Sequence, residues 1–198
     1  MRKFSTILFI LASLLLSATL AQSTGTAMTD NTKHQTAYLA GGCFWGMEEL
    51  VRQIPGVLET EVGYTGGNTP DARYEQVRTG RTGHAESLRI VFDSQRLSYR
   101  HLLFEFFRMH NPSTPNQQGN DIGTQYRSAI FYVGNEQKHT AEEVIKTVDA
   151  SGGWKARVVT EVVPFKEFFR AEEYHQKYLV KHPDGYTCHF IRRMNLGE

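Results

Sequence analysis

The chain has 198 residues, with 22 Lys and Arg against 21 Asp and Glu, a formal net charge of +1. That length supports one domain with a sizeable core and excludes a multidomain machine. Near-neutral charge argues against nucleic acid or a polybasic membrane surface as partner, and 40% hydrophobic with 22% charged residues excludes a disordered or fibrous chain.

Arg2 and Lys3 precede an apolar run from Ile7 to Leu16, and Thr19 and Ala21 have the spacing of a signal-peptidase site. Residues 1–21 are therefore expected to be a secretory signal, with export to the periplasm or exterior. The run is short for a permanent membrane span, so no stable membrane association is expected after cleavage, an uncleaved anchor being the alternative. Residues 22–36 are polar and aperiodic and read as a flexible leader, which places a single folded domain over residues 37–198.

Ala37 to Ala40 reads as a short strand, followed by Gly41-Gly42 and a helix from Phe44 to about Gln53 that Pro55-Gly56 ends. Val57 to Tyr64 and His84 to Phe92 read as strands able to pair antiparallel across a long excursion. Ser98 is an N-cap, and Tyr99, Leu102, Leu103, Phe106, Phe107 and His110 give the following helix one apolar face. Asn111 to Gly123 is a polar loop too long for a mere connection. Ser128 to Val133 reads as a strand, and Ala141, Val144, Ile145 and Val148 mark a helix stopped by Ser151-Gly152-Gly153. Arg157 to Val163 adds a strand and Phe165 to Val180 a last helix. This order predicts an α+β fold, a two-layer, mostly antiparallel mixed sheet with helices packed on one face, a ferredoxin-like split βαβ core and long loops.

Two cysteines cannot build a disulfide-dense scaffold, so Cys43 and Cys188 form either a structural staple or chemistry. Cys43 follows two glycines and opens a helix, where unpaired N–H groups and the helix dipole favour thiolate, the nucleophilic form. Phe44 and Trp45 cannot both point into one core from consecutive helical positions, so at least one lines a concavity or surface. Three functions stay open on this ground: a redox enzyme, a secreted binding module stapled by the two cysteines, and a cysteine hydrolase using His84 or His175 as base. The eight histidines are scattered without Cys-x-x-Cys or His-Glu-x-x-His spacing, so no metal or other cofactor is expected.

The segment Gly41-Gly42-Cys43-Phe44-Trp45-Gly46 resembles the signature of peptide methionine sulfoxide reductases of the A type, which act on the S epimer of methionine sulfoxide. Tyr74-Glu75-Gln76-Val77, Gly83-His84-Ala85-Glu86, Asn120 to Ser128 and Ala171 to Gln176 agree with that family in type and order. The resemblance implies Cys43 as nucleophile and Glu86 as the acid that protonates the sulfoxide oxygen, with Tyr74 and Tyr126 as donors to it. It further implies that Asp121 orients a water or donor, and that Phe44 and Trp45 receive the S-methyl group. Attack leaves a sulfenic acid on Cys43, which Cys188 would condense with in a single resolving step, since Thr187 interrupts the usual Gly-Tyr-Cys and no third thiol follows. The implied partners are methionine sulfoxide, free or in oxidised proteins, and a thioredoxin-like reductant or dithiothreitol in vitro, and the chain is expected to act as a monomer.

Overall fold

The computed structural model describes residues 33–198, which form one unit. The expected signal sequence and most of the leader lie outside the described residues. Strand β1 spans His34–Gly41, so residues 34–36 belong to the sheet and not to a leader. Their polar side chains hid them, but they pair with Val91, Phe92 and Asp93 at the strand end, where one face is open to solvent.

Helix α1 (Phe44–Val51), strand β2 (Val57–Thr65), short helix α2 (Tyr74–Val77), strand β3 (Ala85–Asp93) and helix α3 (Tyr99–Met109) follow. The polar loop contains a minimal hairpin, β4 (Gln117–Gln118) and β5 (Asp121–Ile122), before a 3₁₀ turn at Thr124–Tyr126. Strand β6 (Ser128–Tyr132), helix α4 (Gly134–Ser151), strands β7 (Glu161–Pro164) and β8 (Phe168–Arg170) and short helix α5 (Tyr178–Lys181) complete the chain. Six strands make one sheet in the order β7-β6-β1-β3-β2-β8, antiparallel throughout except for the parallel β6–β7 pair. The architecture is α+β, and β3 lies between β1 and β2, the two strands that α1 connects.

The pleat decides which residues meet the helices. Ala37 and Leu39 of β1, Val62 and Tyr64 of β2, and Leu88, Ile90 and Phe92 of β3 share one core with Phe44, Met47 and Val51 of α1 and the apolar face of α3. Alternate residues Tyr38, Ala40, Ala85 and Phe131 form a smaller cluster on the other face. Glu86 has the parity of Leu88, so the pleat turns it toward the helix side, at the end of the strand where β1 gives way to α1. Ser98 caps α3 as its sequence predicts, its Oγ accepting from the His101 N–H at 3.1 Å.

The expected helix from Phe165 to Val180 is the main correction. Phe168 and Phe169 pair instead with Thr65 and Tyr64 as an edge strand, and only Tyr178–Lys181 is α-helical. The free edge of β2 satisfies the backbone of this segment, and Lys177 takes a left-handed φ of 49° that separates the preceding turns from α5. The expected strand from Arg157 to Val163 is likewise confined to Glu161–Pro164.

Candidate active site

Gly42 makes the turn from β1 into α1 at a φ of +102°, where a side chain would be strained and a Cβ would lie 2.5 Å from Gln118 Cγ. Cys43 then occupies the N-cap position of α1 and is 6% exposed. Glu86 is 3% exposed, and its Oε2 accepts the Phe44 backbone N–H at 3.1 Å, so the carboxyl sits directly beside the start of α1. Burial pushes the Glu86 carboxyl up to about 8 against the opposing Phe44 N–H, with the charge of Asp121 adding to the rise. At neutral pH this carboxyl is mostly protonated, and the oxygen not bound to Phe44 is left to carry the proton.

Burial opposes the thiolate that the helix start leads one to expect at Cys43. Burial raises the Cys43 thiol and a charged Glu86 raises it further, and together they outweigh the Trp45 backbone N–H that favours the anion. Helix-terminal N–H groups are worth less than the desolvation of a buried sulfur. Once Glu86 is neutral its contribution vanishes, so the thiol and the acid titrate as neighbours and not independently.

Tyr74 and Tyr126 both feel Glu86 and Cys43, and Tyr126 also feels Asp121 and Tyr74. Burial raises both phenols first, so each remains a donor at neutral pH. Tyr74 is held by Glu172, whose Oε1 accepts the Tyr74 backbone N–H at 3.0 Å while Oε2 accepts the Tyr64 hydroxyl at 2.9 Å. The polar loop fixes the other side. Gln118 Oε1 accepts the Asn111 N–H at 2.8 Å, and Thr124 Oγ1 donates to the Gly80 carbonyl at 2.8 Å, which sets Asp121 and Tyr126 on one short hairpin and turn.

Phe44 is buried in the main core, 5.9 Å from Tyr64 and 5.1 Å from His175 between ring centroids, whereas Trp45 keeps exposed surface and stacks on Tyr178 at 3.8 Å. The Trp45 indole N–H donates to His175 Nδ1 at 2.9 Å. His175 is 1% exposed, within 4.6 Å of the Tyr74 ring, and sequence reasoning assigned it no part in the aromatic hollow. Its i, i+3 neighbour Glu172 was visible in the sequence, but its partner Trp45 lies 130 residues away.

Neither base of a hydrolase is available to Cys43. His84 Nδ1 accepts the Gly67 N–H at 3.1 Å and its Nε2 faces the Thr69 carbonyl at 2.8 Å, while the Nδ1 lone pair of His175 is used by Trp45. Cys43 and Cys188 are both free thiols. Cys188 lies close enough to raise the Cys43 thiol electrostatically, and its Sγ donates to Asp121 Oδ2 at 3.3 Å. The Tyr186 hydroxyl donates to the same oxygen at 3.1 Å. Cys43, Glu86, Tyr74, Tyr126, Asp121 and Cys188 therefore lie near enough to one another to act on each other's ionisation.

Residues 35–196 match the family model described as peptide methionine sulfoxide reductase. A peptide methionine sulfoxide reductase MsrA from Streptomyces coelicolor is 59% identical over 158 residues, covering 80% of this chain and 90% of that protein. The crystal structure of Mxr1 from Saccharomyces cerevisiae in reduced form superposes with a TM-score of 0.77 at 36% identity, over 83% of this chain and 95% of that one. The same yeast protein in complex with Trx2 aligns at a TM-score of 0.56 and 23% identity over 85% of this chain and 97% of that one, a likeness of fold. With its thiol, acid and aromatic hollow placed as described and the match running through nearly all the described residues, the chain belongs to the peptide methionine sulfoxide reductase family.

Proposed function

We propose that the reduced chain converts methionine S-sulfoxide to methionine with oxidation of Cys43 to a sulfenic acid, and that Cys188 and a thioredoxin-like protein return it to the dithiol. The observation that carries this reading is the carboxyl of Glu86, neutral at working pH and beside a buried thiol at the mouth of α1. A sulfoxide oxygen leaves poorly unless protonated, and a buried neutral acid supplies that proton where water cannot.

Tyr74, Tyr126 and Glu86 hold the oxygen as charge develops on it, while Trp45 receives the methyl group by apolar contact. The Cys43 sulfur attacks the sulfoxide sulfur as Glu86 protonates the oxygen. As the S–S bond to Cys43 forms, the S–O bond breaks and the oxygen leaves as water with the protons of Cys43 and Glu86. A water then attacks the Cys43 sulfur of this sulfonium, the S–S bond breaks, methionine leaves and Cys43 is left as a sulfenic acid. The attacking water returns a proton to the Glu86 carboxylate, so the sequence consumes none. Cys188 then attacks the sulfenic acid, forming the Cys43–Cys188 disulfide and water, and an external dithiol reduces it.

The yeast relative has been solved with Trx2, and a thioredoxin-like partner fits a disulfide closed by a thiol of the C-terminal tail. Export follows from Arg2, Lys3 and the apolar run after them, so the partner is expected outside the cytoplasm. Turnover of methionine S-sulfoxide with a dithiol donor tests the assignment. Cys43→Ser is expected to abolish methionine formation, and Cys188→Ser to retain one turnover while losing recycling by thioredoxin. Full activity in Cys43→Ser would refute the mechanism.

A further inference from the structure

The Cys188 thiol lies between two acceptors, Asp121 Oδ2 at 3.3 Å and His189 Nδ1 at 3.6 Å. The other ring nitrogen of His189, Nε2, is 2.7 Å from the Gly41 carbonyl oxygen. A carbonyl only accepts, so Nε2 carries the ring proton and Nδ1 turns a lone pair toward the Cys188 sulfur. His189 is buried, and burial lowers its affinity for a second proton, which keeps the ring neutral.

The ring is seated against the backbone that presents Cys43. Gly46 offers no Cβ where Thr187 Oγ1 and, 2.7 Å from the Cβ position, His189 Nδ1 lie. Gly41 and Gly46 bracket Cys43, so the residue beside the second thiol is anchored to the loop and helix that carry the first.

A base is needed there. Burial, with the hydrogen bond and charge of Asp121, pushes the Cys188 thiol up to about 12, so its thiolate is scarce at neutral pH.

The geometry points to His189 as the base that takes the Cys188 proton when Cys188 attacks the sulfenic acid on Cys43. This assignment rests on the reading of Cys188 as the resolving thiol. Of the two acceptors, Asp121 Oδ2 is shared with the Tyr186 hydroxyl at 3.1 Å, whereas the imidazolium that His189 becomes sits beside an opposite charge on the thiolate. Asp121 further stabilises that imidazolium, while Arg192 and His110 are the basic groups that face it. In the step the Cys188–Cys43 S–S bond forms and the S–O bond of the sulfenic acid breaks. The departing hydroxide and the proton taken by His189 end as water, leaving a neutral ring.

Reduced protein mixed with one equivalent of methionine S-sulfoxide and quenched over time reports methionine release and disulfide closure separately, the latter as loss of the second free thiol. Closure in the unaltered chain is expected to stay within about threefold between pH 7 and 9, because the ring is already neutral there. His189→Gln can still donate to Gly41 but cannot take the proton. Its closure is expected to fall about 100-fold at pH 7 and to climb steeply with pH, with methionine release falling far less. In His189→Ala, added imidazole is expected to restore closure. An unchanged closure rate in both variants, or a uniform slowing with a flat pH profile that imidazole does not relieve, overturns the proposal. Failure of the unaltered chain to release methionine would instead overturn the functional reading beneath it.

Discussion

Replacing Glu86 by Gln should make the protein more stable and less active, with a stability gain that grows with pH. In the fold Glu86 binds its proton up to about pH 8, whereas the unfolded carboxyl loses it near 4.5. Between those values the folded state holds more protons than the unfolded one, so stability falls as pH rises and levels off above 8. At about 1.4 kcal/mol for each pH unit, the buried carboxyl lowers stability by about 3 kcal/mol at pH 7 and about 5 kcal/mol above pH 8. Gln is isosteric with the protonated acid, and its carbonyl can keep the Phe44 N–H bond. Its additional N–H adds a cost that does not vary with pH, so the slope of the difference carries the test. Urea unfolding of the two reduced proteins near pH 5, 7 and 9 measures it, since groups that titrate alike in both cancel in the comparison. A difference that stays flat across that range would show that Glu86 ionises freely and would remove the neutral acid from the mechanism.

Trp45→Phe removes the indole bond to His175 and part of the apolar wall. It is expected to weaken sulfoxide capture by about 1 to 3 kcal/mol, read as a raised KM with a smaller change in kcat, and an unchanged KM would contradict the role of Trp45 in the hollow. Gly42→Ala forces a side chain into a φ of +102° against Gln118. A loss of about 1 to 3 kcal/mol in urea unfolding is expected, and an unmoved midpoint would mean that the turn before Cys43 relaxes without strain.

The sequence carried the site further than it carried the fold's last third. Cys43, Glu86, Tyr74, Tyr126 and Asp121, which the fold brings near one another, each stand in a short motif, and the pleat of β3 explains why Glu86 arrives beside α1. The leader boundary was misread because His34, Gln35 and Thr36 are polar, although the ladder with β3 needs only their backbone. The segment from Phe165 to Val180 looked helical because its aromatic and charged residues fit either period. The free edge of β2, a long-range feature, decided for β8. The helix start before Cys43 is local and visible in sequence, whereas the charges of Glu86 and Asp121 that also act on the thiol come from far along the chain. Glu172, His175 and His189 were missed as organisers because each acts across a sequence gap, on Tyr74, Trp45 and Gly41 respectively.

The most direct test of the account is a single turnover of the reduced chain, without added reductant, on each pure epimer of methionine sulfoxide. One equivalent of methionine from the S epimer, none from the R epimer, and the loss of both free thiols are expected. Methionine from the R epimer at the same rate, or conversion of the S epimer with both thiols still free, would contradict it.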